Sequence, residues 1–131
     1  MLLDTSGLLC LHHRAEPLHK AAVKLFDAAE QKFVHGYVLA EFVALATARG
    51  LPRPEVLGFV ADIGDSFEVT VVYVDEALHR AALALLQRRL DKTWSLCDAV
   101  SFVLMERFGI AEALTTDHHF EQAGFRRLLV A

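Results

Sequence analysis

Short apolar runs, each too brief for a stable helix, alternate along this chain with longer segments whose apolar residues recur every three or four positions. Met1-Leu2-Leu3, Phe33-Val34-His35, Glu68 to Val74 and Glu112 to Thr115 read as strands, and a last strand is expected near Arg127 to Val130. Between them lie helical segments: a short one around Leu8 to His12, one from Pro17 carrying Leu18, Ala21, Ala22, Leu25, Phe26 and Ala29, and one from Tyr37 to Arg49 closed by Gly50. Further helices are expected from Pro52 and Pro54 to about Ser66, from Glu76 to Leu90, and from Ser95 to Phe108, where Gly109 stops the last. Strands separated by helical crossovers favour parallel pairing. The pattern therefore predicts an α/β fold with a mostly parallel sheet covered on both faces.

A length of 131 residues fits one domain spanning 1–131, and 54% hydrophobic against 23% charged residues is ample for a core with both sheet and helices. No repeat or linker divides the chain. The net charge of −4 argues against a protein that coats nucleic acid non-specifically, while leaving room for a local basic patch. No apolar run reaches the roughly 18 to 20 residues of a membrane helix, and Asp4 interrupts any signal-like start, so a cytoplasmic protein is expected. Cys10 and Cys97 lack the spacing of a zinc site or a disulfide framework and read as reduced core residues.

Four carboxylates stand where a surface charge is not expected. Asp4 ends the first strand and Asp117 follows Leu114-Thr115-Thr116, so both sit at carboxyl ends of strands, where sites form in parallel sheets. Glu41 lies within Val38-Leu39-Ala40-Glu41-Phe42-Val43, and Asp98 within Leu96-Cys97-Asp98-Ala99-Val100. Each has a structural reading. Asp4 can cap the helix after it, Ser95 and Asp98 fit an S-x-x-D capping box, and Asp117 can cap a short helix over His118 to Ala123. Glu41 resists that treatment, because no lysine or arginine lies one turn away and its neighbours are apolar, which implies a costly buried charge. Convergence of all four around Mg²⁺ or Mn²⁺ accounts for them together. These ions prefer hard oxygen ligands and, when bound, activate water and offset charge on a phosphodiester undergoing hydrolysis. Close carboxylates also repel, so an ion-free site is expected to be partly protonated. Thr5, Ser6, Ser101 and Thr116 are small hydroxyls placed to orient carboxylates or, equally, to cap helices.

Leu3-Asp4-Thr5-Ser6, Val38 to Phe42, Ser95 to Phe102 and Leu114 to Phe125, taken in order, resemble the motifs of PIN-domain ribonucleases, and more narrowly those of VapC-type toxins. Each motif is weak alone, but the ordered set is specific and spans the chain. The resemblance places the family's acidic site at Asp4, Glu41, Asp98 and Asp117, with Ser101 as the small polar residue three positions after the third acid. It implies a three-layer α/β/α fold, Mg²⁺- or Mn²⁺-dependent cleavage of single-stranded or loop RNA, homodimerisation and neutralisation by a cognate antitoxin protein. The alternative from another class is a non-cleaving PIN-like module that grips RNA or protein.

Other site chemistries fit poorly. A haloacid-dehalogenase-type phosphotransferase would carry an acid at position 6, where Ser6 stands, and a receiver domain would carry a lysine later than Lys92. Neither G-x-x-x-x-G-K-[ST] nor G-x-G-x-x-G occurs. Adjacent pairs His12-His13 and His118-His119 are expected to point apart and not to share a metal. RNA phosphates would need cations at the rim, for which Arg14, Lys20, Arg49, Arg53, Arg88, Arg89 and Lys92 are candidates. Arg88-Arg89, Lys92 and Trp94 form the most suggestive group, although a basic helix end and a packed indole are the stronger explanation for it.

Overall fold

Two apolar clusters lie on opposite sides of a five-stranded parallel sheet, and the residues of its strands divide between them by alternation. The computed structural model describes residues 1–131. Strands β1 (Leu2–Leu3), β2 (Lys32–His35), β3 (Val69–Val72), β4 (Glu112–Leu114) and β5 (Arg126–Arg127) are arranged in the order β3-β2-β1-β4-β5. All four pairings are parallel. Helices α1 (Thr5–His12), α2 (His19–Ala28), α3 (Gly36–Ala48), α4 (Arg53–Asp65), α5 (Glu76–Arg88), α6 (Leu96–Phe108) and α7 (His119–Gln122) fill the connections. Leu3, Val34 and Leu114 pack with Leu8, Phe42 and Val56 on one face. Leu2 and Ala113 pack with Trp94, Phe102, Met105 and Phe120 on the other. A period of two thus makes a three-layer α/β/α structure from a sheet that is apolar on both faces.

The strand order places the site. The chain winds outward from β1 through β2 to β3, then crosses back to β4 and β5, so the direction of winding reverses between β1 and β4. Helices leave that boundary in opposite directions and open a crevice at the carboxyl ends of the strands. Leu2 pairs with Ala113 and Leu3 with Leu114, and the Asp4 amide continues the ladder by donating to the Leu114 carbonyl at 3.2 Å. Asp4 and the Thr115-Thr116-Asp117 turn therefore emerge side by side.

Local chemistry explains most boundaries. Ser95 and Asp98 form the expected capping box at the start of α6, and Gly109, at φ 66°, ends that helix in the left-handed conformation. The Asp75 carboxylate accepts from the Leu78 amide at the start of α5. Several boundaries differ from expectation: α2 begins at His19 rather than Pro17, and β3 covers Val69–Val72 rather than Glu68 to Val74. Helix α1 begins at Thr5 rather than Leu8, directly after Asp4. Thr, Ser and Gly are poor helix formers, and their low propensity concealed this turn. A Cβ on Gly7 would lie 2.0 Å from the Leu114 carbonyl oxygen, so glycine permits α1 to press onto the end of β4. The last strand is Arg126–Arg127, shorter and earlier than the expected 127 to 130.

Candidate active site

Asp4 is 5% exposed at the mouth of this crevice. Its backbone occupies the N-cap position of α1, but its side chain makes no capping bond. The carboxylate instead accepts a 2.7 Å hydrogen bond from Thr115 Oγ1 and a longer one, 3.4 Å, from Ser6 Oγ. Thr115 Oγ1 also accepts from the Asp117 amide at 3.0 Å, so one hydroxyl couples the acid after β1 to the acid after β4. Ser6 Oγ fastens the same turn by accepting from the Thr116 amide at 2.9 Å, and Arg127 Nη1 holds it from behind by donating to the Thr116 carbonyl at 3.0 Å. Burial, together with the Asp98 and Glu41 carboxylates, raises the Asp4 pKa to about 7 against the opposing pull of its hydrogen bonds.

Asp98 arrives from α6. Its Oδ2 accepts from the Ser95 amide at 3.1 Å and lies 3.1 Å from His119 Nδ1. That nitrogen is also 3.5 Å from Asp117 Oδ2, so the His119 imidazole sits between the acids of α6 and of the β4 turn. Asp117 Oδ1 in turn accepts from the His119 amide at 2.9 Å. Glu41 completes the group from α3. Burial of the Cys97 thiol, followed by the nearby Glu41, Asp4 and Asp98 carboxylates, pushes its pKa far up. A thiol so held is protonated and inert. Asp4, Glu41 and Asp98 are thus within electrostatic reach of one another, and His119 ties Asp98 to Asp117.

Several residues carry roles other than those expected. Glu41 is exposed, not buried, so the desolvation argument for it fails: in α3 the neighbouring Val38 and Phe42 turn inward while Glu41 faces the crevice. Ser101 touches no carboxylate. It is fully buried and bonds His35 Nε2 at 2.8 Å. His35 was not singled out from the sequence, yet its Nδ1 accepts from the Val38 amide at 3.3 Å, capping α3. An accepting Nδ1 leaves the proton on Nε2, which donates to Ser101. One neutral imidazole therefore joins the helix of Glu41 to the helix of Asp98, and burial lowers its pKa to about 4. The role foreseen for Thr116 belongs to Thr115; Thr116 is exposed. The signal was present, since Thr115 and Asp117 are two residues apart at a strand end and so face alike. Thr5 Oγ1 is buried with no partner in the protein.

The histidine expectation also changes, while the basic group follows the stronger of its two readings. His118 and His119 do not diverge: their ring centroids are 4.7 Å apart, and His118 Nδ1 lies 3.6 Å from Asp117 Oδ1. The chain coils there into the first turn of α7, which brings both rings around Asp117. The basic group behaves as a packed helix end. Arg89 Nε and Nη2 bond the Asp91 carboxylate at 3.1 and 3.2 Å, Lys92 Nζ is 3.8 Å from the same group, and Trp94 is 7% exposed beneath Arg89. Arg49 is likewise paired, with Glu16 at 3.0 Å.

The fold, the switch-point crevice and the ordered acids define a class: the chain belongs to the PIN-domain family, a family of nucleases whose domain description matches residues 1–126. Its homologues are VapC ribonucleases. It is 30% identical over 122 residues to Ribonuclease VapC26 of Mycobacterium tuberculosis, covering 92% of this chain and 89% of the relative. It is 30% identical over 126 residues to the 23S rRNA-specific endonuclease VapC20 of the same organism, covering 95% of each. The crystal structure of Mycobacterium tuberculosis VapC20, described as a Sarcin-Ricin loop cleaving toxin, superposes with a TM-score of 0.86 at 28% identity, over 95% of both chains. VapC nucleases depend on divalent metal, act on RNA and pair with antitoxins. No helix of this chain is long and apolar enough to cross a membrane.

Proposed function

We propose that this chain is a divalent-metal-dependent endoribonuclease, the toxin of a toxin–antitoxin pair, in which Asp4, Glu41, Asp98 and Asp117 hold Mg²⁺ or Mn²⁺. The observation that carries this reading is the state of Asp4. A carboxylate with two hydroxyl donors would ordinarily have a low pKa, yet this one is held at about 7 by burial and by two further acids. No lysine or arginine pairs with any of the four; the basic side chains that approach Asp98 and Asp117 are the imidazoles of His118 and His119. The donor set of hard carboxylate oxygens fits Mg²⁺ or Mn²⁺, and the partnerless Thr5 hydroxyl beside Asp4 suits a site whose remaining polar neighbours are an ion or its waters.

When bound, such an ion supplies Lewis acidity that makes water a nucleophile at neutral pH and offsets charge on the scissile phosphate. The chain's own residues supply placement. Thr115 engages one Asp4 oxygen and fixes the Asp117 amide, so the acids of β1 and β4 keep their spacing. The Ser95 amide orients Asp98, and the His35–Ser101 bond sets α3 against α6 and hence Glu41 against Asp98. The substrate class in this reading is RNA, in keeping with the ribonuclease and 23S rRNA endonuclease names of VapC26 and VapC20, and single-stranded or looped RNA in particular, in keeping with the Sarcin-Ricin loop cleavage described for VapC20. A homodimer and a cognate antitoxin protein belong to the same reading.

The test is to incubate partner-free protein with transfer RNA and ribosomal RNA in Mg²⁺, Mn²⁺ or EDTA, beside Asp98→Asn. Discrete fragments that require metal are expected, with the variant slowed by ~10²- to 10³-fold while its circular dichroism is unchanged. Asparagine keeps an acceptor for the Ser95 amide, so the capping box survives. Undiminished cleavage by that variant would sink the mechanism. Stable RNA binding without cleavage in any metal would favour the non-cleaving module.

A further inference from the structure

His119 stands where a ligand would stand. Its Nδ1 is 3.1 Å from Asp98 Oδ2 and 3.5 Å from Asp117 Oδ2. Around an octahedral ion with bonds of about 2.1 Å, adjacent donor atoms are roughly 3 Å apart, so His119 Nδ1 already stands near that spacing from each of the two carboxylate oxygens in turn. The ring is pre-positioned. The His119 amide is held by Asp117 Oδ1, the next residue, Phe120, is fully buried against Phe102, and Trp94 Nε1 donates to Gln122 Oε1 at 3.0 Å, pinning α7 from its far end. The side chain of His119 is 19% exposed, enough to meet an ion arriving from the crevice, whereas that of His118 is 66% exposed and reaches Asp117 alone, at 3.6 Å.

We propose that His119 is a nitrogen ligand of the divalent ion held by Asp98 and Asp117, which makes this a mixed nitrogen–oxygen centre that selects Mn²⁺ over Mg²⁺. The inference rests on the metal-site reading above and extends it. Imidazole is a borderline donor that suits transition metals, while Mg²⁺ demands oxygen and retains its waters. In the ion-free protein the same nitrogen can donate a hydrogen bond to Asp98. Coordination requires the other neutral tautomer, with the proton on Nε2 and the Nδ1 lone pair directed at the ion.

The experiment uses the full chain loaded with Mn²⁺ and reads nitrogen hyperfine coupling by pulsed electron paramagnetic resonance, in wild type, His119→Gln, His118→Gln and Asp98→Asn. Mn²⁺ and Mg²⁺ affinities are measured by titration on the same samples. Directly bound nitrogen is expected in wild type and His118→Gln and absent in His119→Gln. Mn²⁺ affinity should fall about tenfold or more in His119→Gln, with Mg²⁺ affinity changing less than about threefold. Mn²⁺ bound in an Asp98-dependent way without nitrogen coupling in wild type would overturn this inference and leave the carboxylate site standing. Coupling that persists in His119→Gln but vanishes in His118→Gln would overturn it in favour of His118. Failure of wild type to bind Mn²⁺ at all, or binding indifferent to Asp98→Asn, would overturn the metal-site reading together with this one. The wild-type spectrum decides the central point even where a variant folds poorly.

Discussion

Asp4 and His35 stand at the carboxyl ends of adjacent strands, and the register Leu2↔Phe33 carried two residues onward sets them side by side. Both are buried, and both have pKa values displaced toward their neutral forms. They differ in their partners. His35 is neutral and satisfied on both nitrogens, by the Val38 amide and the Ser101 hydroxyl, and nothing about it asks for a further ligand. Asp4 has donors as well, but it faces two more acids and no fixed cation. A buried polar group that is satisfied acts as a joint. One that is left in electrostatic debt marks a place where something must bind.

The largest expected effect separates the two by pH in metal-free protein. Asp4, raised from 3.8 to about 7, contributes stability that is fully present below pH 3.8 and lost as pH rises through 7. His35, lowered from 6.5 to about 4, contributes stability present above pH 6.5 and lost as pH falls through 4. Their slopes oppose each other over nearly the same window, so together they leave wild type with little net dependence there. Asp4→Asn should be more stable than wild type at pH 8 in EDTA by roughly 2–4 kcal/mol, an advantage that vanishes near pH 4. Its own stability should then fall as pH drops, with the His35 slope exposed. Urea unfolding across pH measures this, and a constant difference between variant and wild type would refute it.

The joint itself is the next target. His35→Ala removes the α3 cap, strands the Ser101 hydroxyl and leaves a cavity, and it should cost roughly 3 kcal/mol at pH 7. Thermal or urea denaturation reads the loss; a variant within about 0.5 kcal/mol of wild type would show that the His35 bonds carry no weight.

The finest distinction compares two hydroxyls. Thr115→Val deletes the donor to Asp4 and the acceptor for the Asp117 amide, and should lower cleavage ~10- to 100-fold while costing about 1–2 kcal/mol. Ser101→Ala should cost about 1 kcal/mol and lower cleavage by no more than roughly threefold, because its bond acts on Glu41 and Asp98 only through the packing of α3 on α6, which His35 still supports by capping α3. Equal losses of cleavage in the two variants would erase the distinction between joint and site.

The sequence was most legible where one residue's chemistry is local. Gly109 ended α6 and the Ser95–Asp98 box opened it as expected, because both effects act within a single turn. It was least legible where a partner comes from far along the chain. Glu41 looked buried because its linear neighbours are apolar, but helical geometry turned them inward and it outward. Ser101 looked like a carboxylate's companion until the crossover brought His35 to it from 66 positions away.

By itself, then, the order of residues determined the alternation of strands and helices, the mostly parallel sheet that such alternation favours, and the four candidate acids at the edges of apolar segments. Periodicity and residue type are local quantities. Tertiary structure alone decided that Thr115 couples Asp4 to Asp117, that His119 stands between Asp98 and Asp117, and that His35 locks α3 to α6. Those contacts join elements separated by 21 to 111 residues, or depend on the angle at which α7 leaves its strand, and only the reversal of winding at β1 and β4 brings them into one crevice.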